Sequence, residues 1–318
     1  MNHKLILLVI VVAIIALALL AGCSNSGNIK NNAGQADNTG GNNAGSADNA
    51  GKNESADNAG DSDALSPLVV TILKVGKADA IICETDGHAM VIDAGEDDDG
   101  EEVVNFLKSR GISSLDALVI THFDKDHVGG ADTLIDEIPA DRVLLPDYVG
   151  THPEYEEFMD SLSDAKVTPE MVVERQTFEL GGAEVTIDPP SSYEIPDSDD
   201  EYDNNFSLIT TIVHGSKKLF FAGDIEKERI RELVENDQLE DVDFLKVPHH
   251  GVYEAELEEL FSITSPEYAV ICSSKKNPAD SKTLELLEKY GISYTETRHG
   301  DVTITSDGQK LSFYQDTD

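Results

Sequence analysis

Residues 120–130 read ITHFDKDHVGG and follow directly on the apolar run Ala117-Leu118-Val119-Ile120. An unbroken apolar run of this length predicts a strand covered on both faces, here LDALVIT over 115–121. Where the strand stops, His122, Asp124, Asp126 and His127 follow in quick succession. Alternation along His-x-Asp-x-Asp-His sets His122, Asp124 and Asp126 two residues apart, and Gly129-Gly130 predicts a sharp turn that folds His127 back toward them. A strand end holds the base of such a loop rigid, so ligands gathered there can converge on one point.

Other apolar runs end in the same chemistry. VIDAG carries Asp93, FFAGD ends in Asp224, FLKVP leads into His249-His250-Gly251, and Asn204-Asn205 precede SLITTIV. Imidazole and carboxylate together suit zinc, manganese or iron, whereas magnesium and calcium favour oxygen donors alone. Six or seven such ligands around a shared carboxylate fit a two-metal centre that activates water and clamps both oxygens of a displacement. Asp93 reads equally as a participant or as an acceptor for backbone donors beneath the site. His88, His152, His214 and His299 stand alone and read as surface or capping residues.

Around these loops the pattern alternates between the two periods. LVVTILKV (68–75), DAIICET (79–85) and HAMVIDAG (88–95) read as strands, and EEVVNFLKSRG as a helix closed by Gly111. A helix at 130–137, a strand at 141–146, a helix at 154–162 and a strand pair about Gly181-Gly182 follow. The second half repeats the scheme: a hairpin from SLITTIVHG and KKLFFAGD, then helices and strands in alternation, then two strands about Asp307-Gly308. Strands before helices, twice over, predict an α/β fold of two packed β-sheets with helices outside.

With these motifs in order, residues 67–318 resemble the metallo-β-lactamase fold superfamily, and within it the ComEC-type competence proteins and their extracellular relatives. The resemblance rests on VGKADAIIC, VIDAG, THFDKDHVGG, NNFSL, FFAGD and LKVPHHG. It implies a four-layer αββα sandwich holding two divalent metals, zinc with manganese or iron as alternatives. By the same resemblance one metal takes His122 and Asp124, the other takes Asp126, His127 and His250, and Asp224 bridges them. Asp126 and Asp224 then belong to the catalytic set, and His249 is left to donate a proton or hydrogen bond to the substrate oxyanion. Many superfamily members have a histidine where this chain has Asp124. Where a further ligand histidine often falls, the sequence offers Asn204 or Asn205; where a His-Pro pair is common before the last helix, it offers Asn277-Pro278-Ala279-Asp280, with Asp280 as a substitute.

The ends and the composition bound the setting. Residues 1–22 join Lys4 to an apolar stretch from Leu5 to Leu20, which reads as a signal segment, and Leu20-Ala21-Gly22-Cys23 resembles a lipobox that would lipidate Cys23. Residues 23–66 are mostly Asn, Gly, Ala, Ser and Asp, with SADNAG at 46–51 and again at 55–60, and predict a disordered linker. Such a coil spans on the order of 40 Å. The chain carries 23 Lys+Arg against 62 Asp+Glu, a formal charge of −39, which repels phosphate backbones. Cys83 and Cys272 lie in apolar runs, as buried thiols or as a disulfide pair.

The expected protein is therefore a lipid-anchored hydrolase on the extracellular face of a bacterial membrane. Its expected substrate is a small-molecule or polymeric phosphoester or phosphodiester. Two alternatives stand beside it: a nuclease of DNA uptake, whose nucleic-acid partner the charge disfavours, and a non-catalytic surface binding module that keeps a metal for structure.

Overall fold

The computed structural model describes residues 65–194 and 202–317. The apolar segment 1–22, Cys23 and the linker as far as Ala64 lie outside these residues, as does the stretch 195–201. Among the described residues no helix is long and apolar enough to cross a membrane.

The first sheet holds β1 (Leu68–Ile72), β2 (Ala80–Thr85), β3 (His88–Ala94), β4 (Ala117–Val119), β5 (Val143–Pro146) and β6 (Glu170–Val172), extended by β14 (Val302–Ser306) and β15 (Leu311–Gln315). Their order is β15-β14-β1-β2-β3-β4-β5-β6. The second sheet holds β7 (Gln176–Leu180), β8 (Ala183–Asp188), β9 (Ile209–His214), β10 (Lys217–Phe221), β11 (Phe244–Lys246), β12 (Tyr268–Ile271) and β13 (Ser293–Glu296), in the order β13-β12-β11-β10-β9-β8-β7. Helices α1 (Gly100–Ser109), α3 (Ala131–Glu137) and α4 (Pro153–Ala165) accompany the first sheet. Helices α6 (Lys227–Glu235), α7 (Leu257–Thr264) and α8 (Ser281–Lys289) accompany the second.

Period-2 alternation sorts the strand side chains into layers. Leu68, Val70 and Ile72 of β1 and Ile81 and Cys83 of β2 meet Leu219, Phe221 and Phe244 between the sheets. Ile82 of β2, Val91 of β3 and Leu118 of β4 face outward onto Val103, Leu134 and Phe158 of the first helical layer. Phe220 of β10 and Leu245 of β11 face outward onto Ile230, Leu260 and Leu287 of the second. Each such side chain, fully buried, contributes about 1.5–3 kcal/mol. Three apolar layers between four structural ones explain why β4 reads as a continuous apolar run: it is covered on both faces.

β3, β4, β5 and β6 run parallel, as do β10, β11, β12 and β13. Parallel strands bring their carboxyl ends together, and in open α/β sheets ligands bind beyond those ends. The ends of β3, β4, β10 and β11 accordingly carry Asp93, His122, Asp224 and His249-His250 toward one region. A backbone bond from Leu208 N–H to the Thr121 carbonyl (2.8 Å) stitches the two sheets together beside it.

One local expectation changes. His122-x-Asp124-x-Asp126-His127 is not extended throughout: Asp124 is the N-cap of a short helix α2 (Lys125–Val128), which carries Asp126 and His127. The glycines after it do turn the chain, from α2 into α3, with Gly129 at φ −53° and ψ −51° and Gly130 at φ −82° and ψ 3°, close to the values of a type I turn. They also serve close approach: a Cβ at Gly130 would lie 2.4 Å from the Ala94 carbonyl oxygen, and one at Gly129 2.5 Å from the Asp97 nitrogen. The short strands β6 and β13 and the helical turn α5 (Tyr202–Asn205) were not expected either, being too short and too polar to show a period.

Candidate metal centre

The site is built upward from Asp93. This residue has a positive φ of 58°, a left-handed conformation that aspartate tolerates better than most. Its carboxylate is buried and fully used: Oδ1 accepts the Thr121 backbone N–H (2.7 Å), while Oδ2 accepts the Thr121 hydroxyl (2.7 Å) and faces His127 Nδ1 (2.7 Å). Of the two readings open for Asp93, the geometry is that of an acceptor beneath the site.

Three imidazoles stand above it, buried and with one nitrogen each already engaged. His127 Nδ1 donates to Asp93, and His250 Nδ1 donates to the Cys272 carbonyl (3.1 Å). His122 Nδ1 lies 3.0 Å from Thr121 Oγ1, whose proton already goes to Asp93, so the imidazole is the donor there too. Fixing Nδ1–H leaves the Nε2 lone pair free, and all three Nε2 atoms are buried without a hydrogen-bond partner. A backbone carbonyl or carboxylate behind a histidine is the usual arrangement that orients a ligand imidazole. The His122 and His127 rings lie 4.1 Å apart between centroids, and those of His127 and His250 5.4 Å apart.

Carboxylates meet these nitrogens. Asp224 Oδ2 lies 3.2 Å from His127 Nε2 and 2.9 Å from His250 Nε2; Asp126 Oδ2 lies 3.3 Å from His250 Nε2; Asp124 Oδ2 lies 3.8 Å from His122 Nε2. Burial alone would lower the His127 and His250 pKa values, but the surrounding carboxylates together outweigh it and raise both: Asp224 and Asp93 around His127, strongly, and Asp224, Asp126 and Asp79 around His250. Asp224 and Asp126 move the other way: burial would raise them, and the neighbouring imidazoles, with Lys246 beside Asp224, pull both well below the usual carboxylate range. Buried nitrogens and carboxylates packed so tightly fit divalent ions of the zinc, manganese or iron class, which would replace the imidazole protons.

Two members of this cluster escaped the sequence. Lys246, fully buried on β11, lies 2.5 Å from Asp79 Oδ2, 3.1 Å from Asp224 Oδ1 and 2.9 Å from the Gly223 carbonyl oxygen. Donor atoms of Asp79, His127, Asp224 and His250 all lie within 4.8 Å of one another. Asp79 is nonetheless a poor ligand candidate, because its Oδ1 faces Nδ1 of His250 (3.6 Å) and its Oδ2 faces Nδ1 of His127 (4.0 Å), the side away from Nε2, and Lys246 holds Oδ2. A lysine inside FLKVP and an aspartate at the head of DAIIC were the available signal: opposite charges in apolar strands imply a buried pair.

The remaining expected residues divide. His249 and His250 occupy left-handed conformations (φ 46° and 53°) followed by Gly251 (φ 77°), a strained run that turns the two rings apart. His249 remains partly exposed, with Nδ1 3.0 Å from Glu226 Oε1. Asn205 is committed elsewhere, its Oδ1 accepting N–H groups of Glu226 (3.2 Å) and Arg229 (3.1 Å) at the start of α6, whereas Asn204 donates through Nδ2 to Glu226 Oε1 (3.0 Å) and keeps Oδ1 buried without a hydrogen-bond partner. Asp280 caps α8 and accepts the Tyr253 N–H (3.0 Å), which braces the loop after His250 rather than replacing a histidine ligand. His214 is buried, not superficial, between Ser306 Oγ and the Ser66 carbonyl. His152, expected to be a bystander, places Nε2 3.8 Å from Asp124 Oδ1. Cys83 and Cys272 are buried free thiols.

Comparison with known proteins adds to this geometry. A family described as the Metallo-beta-lactamase superfamily matches residues 73–275. ComE operon protein 3 of Bacillus subtilis (strain 168) is 30% identical over 202 residues, 62% of this chain and 25% of that protein. Recombination protein 2 of Haemophilus influenzae is 25% identical over 255 residues, 78% of this chain and 29% of that protein. The chain thus spans between a quarter and a third of the length of these relatives. Among solved structures, the CmlA beta-hydroxylase E377D mutant shares the fold at a TM-score of 0.52 and 16% identity, over 74% of this chain and 53% of that one.

Proposed function

Because the chain belongs to the metallo-β-lactamase superfamily, we propose that it is a metal-dependent hydrolase of phosphoester or phosphodiester bonds, tethered by lipidated Cys23 to the outer face of a bacterial membrane. The observation that carries the reading is the set of three buried Nε2 atoms without partners, each backed on Nδ1 and faced by Asp124, Asp126 or Asp224. His122 and Asp124 would hold one ion, His127, His250 and Asp126 the other, and Asp224 both. The ions, zinc or else manganese or iron, would supply Lewis acidity and an activated water there.

The chain's own groups do the rest. Asp93 and the Cys272 carbonyl keep the imidazoles in the tautomer that binds. Lys246 holds Asp224 Oδ1, which leaves Oδ2 directed at the imidazoles. His249, partly exposed and backed by Glu226, is the group free to donate a hydrogen bond to charge developing on substrate oxygen. Aspartate at position 124 in place of the lactamase histidine favours phosphoesters over lactams. The purified full chain, analysed for metal and assayed on phosphomonoesters, phosphodiesters, thioesters and lactams, tests the reading. We expect turnover of a phosphoester class that chelator abolishes; turnover of lactams or thioesters alone would overturn it.

A second reading, DNA processing outside the membrane, is favoured by the names of the two relatives, a ComE operon protein and a recombination protein. The charge of −39 opposes it, since counterion release from DNA requires cationic contacts. Without added metal, the full chain should bind duplex DNA only weakly at physiological salt. A submicromolar, salt-sensitive complex in a mobility-shift assay would promote the DNA reading over the first.

Anchoring has its own check. Cys23→Ser should abolish incorporation of a fatty-acid probe into the expressed protein. Labelling that persists would remove the lipid anchor while leaving the hydrolase reading intact.

A further inference from the structure

We infer that His152 and Asp203 complete, with His122 and Asp124, the donor set of the first of the two cation positions. The inference rests on the hydrolase reading for the second ion at His127, His250, Asp126 and Asp224.

The Asp124 carboxylate stands between two imidazoles. One oxygen lies 3.8 Å from His122 Nε2 and the other 3.8 Å from His152 Nε2. Donors on one tetrahedral ion with metal–nitrogen bonds of about 2.1 Å are about 3.4 Å apart, so a modest side-chain rotation brings each pair into one coordination shell. Asp203 lies on α5, which reaches the same place: Tyr202 beside it packs against Tyr148 at 6.4 Å between centroids, and Ser207 just after the helix sets Oγ 3.3 Å from His122 Nδ1. Burial first, and then the Asp124 carboxylate, raise its pKa, while His122 and His152 act in the opposite direction. Asp203 Oδ1 is buried without a hydrogen-bond partner, as is His122 Nε2. Two neighbouring carboxylates with an orphaned oxygen and an orphaned nitrogen among them call for a cation, since unpaired buried polar atoms cost about 1–3 kcal/mol each.

The placement of His152 is enforced by its loop. Phe123 N–H, next to Asp124, donates to Tyr148 Oη (2.8 Å), and the two rings pack at 4.7 Å between centroids. Gly150 is pressed so closely onto this contact that a Cβ there would come within 2.8 Å of Phe123 Cβ. Pro153 then starts α4 with His152 as its N-cap. Asp203 is fixed from the other side, because the Leu208 N–H bond to Thr121 O ties α5 and its exit to the root of the His122 loop. Three separate segments are thereby held around Asp124, and each supplies one donor.

The test is metal binding, not turnover. The full chain, stripped with chelator and returned to chelator-free buffer, is titrated with Co²⁺ by calorimetry and visible absorption. The parent should take up two equivalents. His152→Ala, whose side chain is 43% exposed and removable without a core defect, should weaken one step at least tenfold and leave the other, and Asp203→Asn should do the same. His152→Asp, which restores a donor, should recover part of the lost affinity. Either single variant keeping the parent's two-step isotherm overturns the assignment. A parent that binds one equivalent overturns it while the hydrolase reading survives on a single ion, and a parent that binds none overturns both.

Discussion

Asp224→Asn should reduce turnover by several orders of magnitude and leave the protein folded but depleted of metal. Asp224 brings a single oxygen, Oδ2, to 3.2 Å from His127 Nε2 and 2.9 Å from His250 Nε2. Its other oxygen is held by Lys246 at 3.1 Å, and its backbone N–H donates to Ser207 Oγ at 3.1 Å, so its orientation is fixed from two sides. Asparagine keeps the size and those contacts but removes the negative charge that would offset two dications. Ion retention and water activation then fail together, which is why the loss should exceed that from a single hydrogen bond. Folding should persist, because Lys246 keeps Asp79 as its partner and the apolar layers are untouched. His88→Ala is the reference, since His88 pairs with exposed Asp116 on the surface and touches none of these groups. Parental turnover together with parental metal content in Asp224→Asn would end the two-ion account.

How much of this could be read from the chain follows from how locally each feature is encoded. His122, Asp124, Asp126 and His127 lie on one strand exit and its following turn, so spacing alone reveals them as a group. Asp224 and His250 were legible for the same reason, each following an apolar run at its carboxyl end. Strands were legible where the apolar run was long, as in β1 to β3, and illegible at β6 and β13, whose few residues are half polar. The conformation of the His122 loop was not: extended spacing and a helical turn are equally compatible with His-x-Asp-x-Asp-His, and the close approach of Gly130 to Ala94 depends on another segment. His152 could not be found because nothing in its neighbours marks it; a glycine and a tyrosine contact carry it to Asp124 from a distant loop. Asn205 misled because an amide serves equally as a weak ligand and as a cap, and the start of α6 supplied backbone N–H groups for it to accept.

Lys246→Met should destabilise the protein by about 3–5 kcal/mol in the presence of chelator, the range found when one partner of a buried ion pair is removed. The ammonium is fully buried, and burial would lower its pKa, yet Asp79 and then Asp224 raise it instead, so it enters the folded state as a cation. Methionine fills the same volume without the charge. Asp79 is then left buried opposite Nδ1 atoms whose protons are already committed, and Asp224 loses the partner that restrains Oδ1. Divalent ions supply part of the missing positive charge on the Asp224 side but not behind the imidazoles, so metal should narrow the deficit without closing it. Denaturant titrations of parent and variant, with chelator and with added zinc, measure both quantities. The pairing itself is tested by Asp79→Asn combined with Lys246→Met: with both charges gone, the double variant should be more stable than the sum of the single losses implies. Strict additivity would mean that Lys246 and Asp79 do not compensate each other, and that the buried charge of this site is balanced elsewhere.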